Sequence, residues 1–184
     1  MIMVSRRGIL AGAGAAALLQ ACGNGVGSNA AAEIDARVSA TQDFLFDRYP
    51  GMRDLAARAN GVLYMPLITE AGFVWGGAYG RGALRIRGVT VDYYSATKAS
   101  FGLQIGAQQY GHALFFMTEQ ALADFRRSSG WAVSADLRYA TPEEGATIGK
   151  ATTEIDPVIA LIFGQQGLIA GATLAGVKYT RIIP

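Results

Sequence analysis

Cysteine and histidine are almost missing from this 184-residue sequence, in which Cys22 and His112 are single occurrences. One cysteine excludes an internal disulfide, a redox pair and a thiolate metal site, and one histidine excludes a multi-histidine metal site. A Ser-His-Asp arrangement would depend on His112 alone, and no G-x-S-x-G, G-x-G-x-x-G or P-loop motif is present. The sequence therefore indicates no metal, no cofactor and no enzyme, and His112 is interpreted as a structural or surface residue.

Charged residues are also scarce, at 16% of the chain. The formal charge is +2, and the two arginines at positions 6 and 7 account for it. The rest of the chain has 14 basic and 14 acidic residues, which does not favour a nucleic-acid-binding protein. Apolar residues make up 51% and glycines number 24, which is typical of one folded, β-rich domain.

The first 21 residues have the three parts of an export signal. Arg6 and Arg7 precede the apolar segment 8–19, and the small residues before Cys22 are typical of a cleavage site. About a dozen apolar residues are fewer than the roughly 20 that a membrane-spanning helix needs. The paired arginines favour the twin-arginine route, and an ordinary charged segment on the general secretory route stays open as the alternative.

The sequence LQAC at 19–22 resembles a lipobox, so residues 1–21 are predicted to be removed and Cys22 to become a lipid-modified N-terminus. Gly23 rather than Asp follows it, which among lipoproteins of Gram-negative type implies the periplasmic face of the outer membrane. Residues 22–32 comprise this cysteine and a small, polar, flexible linker, and residues 33–184 form the domain.

The domain begins with helical periodicity and continues as strands. Apolar residues recur every three or four positions from Ile34 to Tyr49, and a second short helix is predicted at 52–59. Their packing on a sheet is favoured over a position flat on a membrane, because the polar faces carry both signs of charge. One further helix is predicted at 118–128, with Thr118 as its N-cap. Strands are predicted at 62–65 (ended by Pro66), 73–87, 89–94, 101–108, 113–117, 131–139, 158–163 and 168–183.

The predicted fold class is therefore α+β and β-rich. Glycines inside many strands favour a curved antiparallel sheet or a barrel-like sheet, with N-terminal helices and one helix between strands.

The most distinctive charged feature is a row of arginines on one predicted strand face. Arg81, Arg85 and Arg87 alternate with the opposite face, and their guanidinium groups could bind phosphate oxygens. With Phe73 and Trp75 they are the candidate lipid-binding residues, at an apolar cleft for an acyl chain with a phosphate head group. The alternative is a solvated strand face with acidic partners on the neighbouring strand.

Several segments lie in a characteristic order along two-thirds of the chain: GVLYMP (61–66), AGF (71–73), GGAYGRGAL (76–84), YYS (93–95), ASFGLQIGAQ (99–108), ALFFMT (113–118), FGQQGL (163–168) and TRI (180–182). Together they resemble the SYLF, or Ysc84-like, domain family in its bacterial lipoprotein branch. The resemblance implies a compact β-rich domain that binds phospholipid; eukaryotic members are associated with phosphoinositides and, in some, with actin. The family often has lysine before the AGF segment, where this chain has Glu70, which implies weaker or differently selective binding.

The sequence thus predicts an exported lipoprotein whose single, non-catalytic domain binds phospholipid at the envelope membrane. The alternative is a structural or stress-related envelope scaffold, for which the lipid is only the covalent anchor. Protein partners are not predicted from the sequence.

Overall fold

The computed structural model describes residues 28–133, 137–139, 156–164, 167–169 and 173–184. Three helices lie in this part of the chain: α1 (Ala30–Arg48), α2 (Gly51–Arg58) and α3 (Glu119–Arg127). The predicted cap of α3 is confirmed, because the amide of Ala121 donates to the Thr118 hydroxyl at 3.2 Å. This bond satisfies one of the amides that the first helical turn leaves without a partner.

Two very long strands, β1 (Gly61–Ile86) and β2 (Val89–Phe116), form an antiparallel hairpin. Shorter strands complete the sheet: β3 (Trp131–Ala132), β4 (Arg138–Tyr139), β5 (Val158–Gly164), β6 (Gly167–Leu168) and β7 (Lys178–Ile182). The hairpin turn is predicted correctly at Gly88, where Arg87 and Gly88 have φ of 52° and 80°. A two-residue turn with both residues in the left-handed region suits the twist of the strands that it joins.

The prediction that Pro66 ends the first strand is wrong, because β1 continues through it. The pairing register shifts between Met65 and Ile68, so Pro66 lies in an irregularity of the ladder. Proline has no amide hydrogen to donate, and a bulge is one of the few places in a sheet that tolerates it. Two further register shifts, between Gly72 and Val74 and between Leu84 and Arg85, add to the bending of this hairpin.

The single strands predicted at 131–139 and 168–183 are also wrong in extent. The first contains the separate strands β3 and β4, and the second contains part of β6, a turn at Ala175-Gly176 and then β7. Gly176, in the turn before β7, has a φ of 79°. Residues that carry a side chain rarely adopt this backbone conformation.

The sheet is built around β2. Along one edge β2 pairs with β1, and along the other it pairs first with β7 and then with β5. The ladders are antiparallel except for β4, which runs parallel to β5. The sheet is curled, so the prediction of a β-rich α+β fold with a curved, largely antiparallel sheet is confirmed.

Both faces of the sheet are buried, and each has its own apolar cluster. On one face Leu84, Leu114 and Phe116 pack with Leu122 and Phe125 of α3. The opposite face carries α1 and α2, whose apolar residues pack on the strands; they are Ile34, Val38, Leu45, Met52 and Leu55. The prediction that these helices pack on the sheet is confirmed.

Glycine allows the closest backbone approach inside this curled sheet. A Cβ added at Gly82 would overlap the carbonyl oxygen of Tyr64, and one added at Gly80 would overlap the carbonyl oxygen of Leu67. Residues near the start of β1 and residues near its end therefore approach each other closely, and a residue larger than glycine at either position would prevent this approach.

Candidate functional site

Arg85, in the middle of the predicted arginine row, holds helix α1 on the sheet. Its Nη1 donates to Gln42 Oε1 at 2.6 Å, and its Nη2 donates to Ser39 Oγ at 2.8 Å and to the backbone oxygen of Asp35 at 3.4 Å. The acceptors recur at i, i+4 and i+7, so they lie along one side of α1.

The carboxylate of Asp35 ties the same side of α1 to β2. It accepts from the Thr90 hydroxyl at 2.8 Å and from the Tyr93 hydroxyl at 2.7 Å. Burial, and then the hydrogen bond and charge of Asp35, raise the pKa of Tyr93 to about 12, so its hydroxyl stays protonated and donates.

Helix α1 crosses the face that carries the row and divides it. Ala83 between the arginines is fully buried under the helix, which confirms the predicted alternation of faces in β1. Arg81 lies on one side of α1, where it lines a pocket together with Arg37 and Glu33. Arg85 and Arg87 line a pocket on the other side of α1. The structure therefore does not bring the three arginines together in one site.

An apolar cleft runs along the Arg81 side of α1. It encloses about 340 Å³, which lies in the range of small-molecule sites. The rings of Phe44 and Phe163 lie with their centroids 6.4 Å apart within its lining. The other lining residues are Ala40, Thr41, Pro66, Leu67, Gln109, Tyr110, Gly111 and Gly164.

The apolar cleft adjoins the pocket of Arg81, because Pro66 and Leu67 line both. Leu67 keeps 39% of its surface exposed, and Tyr79 in the Arg81 pocket keeps 54%. An apolar groove thus meets a pocket with two arginines and one glutamate. We call this combined feature the Leu67 cleft.

Glu70, where the resemblance leads one to expect lysine, influences the Leu67 cleft through Tyr110. Burial, and then the negative charge of Glu70, raise the pKa of Tyr110 to about 12. The carboxylate is therefore near enough to one lining side chain to affect any anion that approaches it.

The structure does not describe the remaining residues that the sequence suggested for lipid binding and lipid attachment. The side chains of Phe73 and Trp75 lie outside those that the structure describes, as do Cys22 and the whole predicted signal. Residues 28–32 of the predicted linker are described, and α1 begins among them at Ala30, three residues before the predicted start of the domain.

His112 lies in the protein interior and lines neither the pocket of Arg81 nor the pocket of Arg85 and Arg87. It is fully buried, and its Nε2 is 2.6 Å from the hydroxyl of Tyr179. Burial lowers its pKa to about 3, so the ring is neutral at ordinary pH. The interpretation of His112 as a structural residue agrees with this burial.

None of the helices in the described ranges is both long and apolar enough to cross a bilayer. Within the same ranges, no cluster of three or more histidine, cysteine or acidic side chains is arranged to hold a metal ion.

Comparison with known proteins gives one family. Residues 97–181 match the family model Ysc84, described as Las17-binding protein actin regulator. This part of the chain is similar to the Ysc84, or SYLF, domain family. The family is one of binding domains associated with lipid and with actin regulation, and no curated protein matches this chain. The matched range begins within β2, so Arg81 and α1 precede it.

Sequence reasoning missed most residues of the Leu67 cleft, including Arg37, Leu67 and Tyr110. Part of the signal was available, since positions 33, 37, 41 and 44 share one side of a helix with a period of 3.6 residues. The partner positions on β1, β2 and β5 come from distant parts of the chain, and their meeting depends on the bulged register.

Proposed function

We propose that this protein is an exported lipoprotein, anchored through acylated Cys22, whose SYLF domain binds phospholipid at the envelope membrane without catalysing a reaction. The observation that carries the proposal is the continuity of an apolar cleft with the arginine-bearing Arg81 pocket. An acyl chain is apolar, as the cleft is, and a phosphate head group carries the negative charge that Arg37 and Arg81 attract.

The N-terminal sequence supports the location. The apolar segment 8–19 favours export, the lipobox-like sequence at 19–22 favours acylation of Cys22, and Gly23 favours the periplasmic face of the outer membrane. In this arrangement the acyl groups and a flexible linker hold the domain close to the head groups, so that weak binding by the Leu67 cleft is effective.

Co-sedimentation of residues 23–184 with liposomes tests the proposal without the acyl anchor. We expect binding to anionic vesicles, which Arg81→Gln and Leu67→Gln each reduce. Arg127→Gln is the matched charge control, because this exposed arginine pairs with Asp124 within α3 and lines neither pocket of the cleft. Ile183→Gln is the apolar control, at 84% exposure near the C-terminus.

The scaffold role is the second candidate. Two observations favour it: the family description names a protein partner, and Arg85 is used to hold α1 and not directed to the Leu67 cleft. If the folded domain binds no vesicle of any composition, the lipid is only the covalent anchor, and chemical crosslinking in cells should then recover protein partners.

A further inference from the structure

A second pocket, which we call the Arg85 pocket, lies on the opposite side of α1 from the Leu67 cleft. It encloses about 420 Å³ between α1, α2 and the tip of the β1–β2 hairpin. Its lining includes Arg53, Arg85 and Arg87 and no acidic residue, so the lining carries a net positive charge.

Arg85 is fixed in this pocket without a direct ion pair. Its hydrogen bonds to α1 go to neutral oxygens, those of Gln42, Ser39 and the Asp35 backbone. Its Nε is buried, so a ligand in the pocket does not reach this atom. The guanidinium therefore contributes positive charge beside the pocket and not a free donor within it.

Arg87 is held at the rim by the hairpin turn. Its left-handed backbone and that of Gly88 fix the two-residue turn, and the side chain is exposed. Arg87 also lines a neighbouring pocket that contains Arg58, Arg126 and Glu119, where basic residues again outnumber acidic ones. The positive potential therefore extends beyond the Arg85 pocket.

Arg53 completes the set from α2. Its guanidinium lies 5.0 Å from the ring centroid of Phe46 and 3.3 Å from the carboxylate of Asp47. The ion pair is 60% and 79% exposed, and exposed pairs contribute little free energy. Arg53 can therefore turn toward an anion in the pocket at small cost.

We propose that the Arg85 pocket is a second anion site, which binds a phosphate group through Arg53 and Arg87, with the charge of Arg85 adding to the positive potential. The inference is separate from phospholipid binding at the Leu67 cleft, because the two share no lining residue. Fork-shaped guanidinium groups suit the several oxygens of a phosphate better than a single point charge does. A free phosphate and the phosphate of a lipid head group present the same oxygens to these arginines.

Calorimetric titration of inorganic phosphate into the full chain tests this site, with Cys22→Ser in every variant so that no acyl group is attached. Arg87→Asn removes one arginine and should preserve the fold, because Asn-Gly is a favoured pair in this turn. We expect it to weaken phosphate binding at least about tenfold, the effect of losing one charge-assisted hydrogen bond. Arg127→Gln, the control on α3, should bind as the parent does.

A spectroscopic measurement locates the bound phosphate. In a ¹H–¹⁵N spectrum the Nε–H signal of Arg85 should shift as phosphate is added, whereas a phosphate held elsewhere leaves it unmoved. No binding by the parent chain, equal binding by Arg87→Asn, or an unmoved Arg85 signal would each overturn the proposal.

Vesicles then distinguish the source of the phosphate. Competition by vesicles containing phosphatidic acid, and not by neutral phosphatidylcholine vesicles, would support the site and assign it to a lipid head group. Phosphate binding that neither vesicle reduces would support the site and assign it to a soluble phosphate. Arg81→Gln should leave the phosphate-induced shift of the Arg85 signal unchanged in either case, so failure of the Leu67 cleft is distinguishable from failure of this site.

Discussion

His112 should make the folded domain sensitive to acid. The ring is fully buried beside Tyr179, and the Nδ1 atom has no hydrogen-bond partner among the described residues. Burial lowers the pKa of His112 from 6.5 to about 3. A proton that binds this ring in the folded state would therefore be buried without compensation.

The direction of the pH effect follows from this lowered pKa. Between about pH 3 and 6.5 the unfolded chain holds a proton on His112 that the folded chain does not. The free energy of unfolding therefore falls as the pH falls, by about 1.4 kcal/mol per pH unit. From pH 7.5 to 4.5 the loss from this residue sums to about 3 kcal/mol, a large part of the stability of an ordinary domain.

Urea unfolding at several pH values measures this loss. Carboxylates also titrate in this range, so the relevant quantity is the difference in slope between the parent chain and His112→Gln. We expect the His112→Gln profile to be flatter by about one proton, whatever its absolute stability. Tyr179→Phe, which removes the partner hydroxyl and keeps the histidine, should retain the steep profile. Equal slopes for the parent chain and His112→Gln would refute the reasoning.

Four further substitutions test the packing and the cleft. Gly82→Ala should destabilise the domain by at least about 2 kcal/mol in thermal or urea unfolding, because its Cβ would overlap the Tyr64 carbonyl oxygen. Arg85→Met should cost about 2 kcal/mol in the same assay through loss of the hydrogen bonds to α1, and an unchanged midpoint would contradict that role. Thr118→Ala should cost about 1 kcal/mol by removing the cap of α3. Glu70→Lys should strengthen co-sedimentation with anionic vesicles and leave neutral vesicles unaffected, because it reverses the charge beside the Leu67 cleft.

Local sequence patterns predicted the elements whose signals are local. The alternation in β1 placed Ala83 and Leu84 on opposite faces, and the Thr118 cap located the start of α3. The hairpin turn at Gly88 was equally readable, because a left-handed backbone favours glycine. The continuation of β1 through Pro66 could not be predicted, because a proline that ends a strand and a proline that lies in a bulge have the same local sequence.

The candidate site depended on contacts that no local pattern contains. Arg81 and Arg85 are on one strand face, as the alternation predicted, but α1 lies between their pockets. The periodicity of the sequence predicted α1 and its apolar side, but it did not predict which part of the sheet α1 covers. The pairing of His112 with Tyr179 joins residues 67 positions apart, which a single sequence does not reveal.

The most direct test of the account is co-sedimentation of residues 23–184 with anionic liposomes, compared for the parent domain, Arg81→Gln and Arg127→Gln. The account predicts that the parent and Arg127→Gln bind and that Arg81→Gln binds less, with all three equally folded by circular dichroism. Equal binding of the two variants would contradict a site at the Leu67 cleft, and no binding by the parent would contradict lipid recognition by the domain itself.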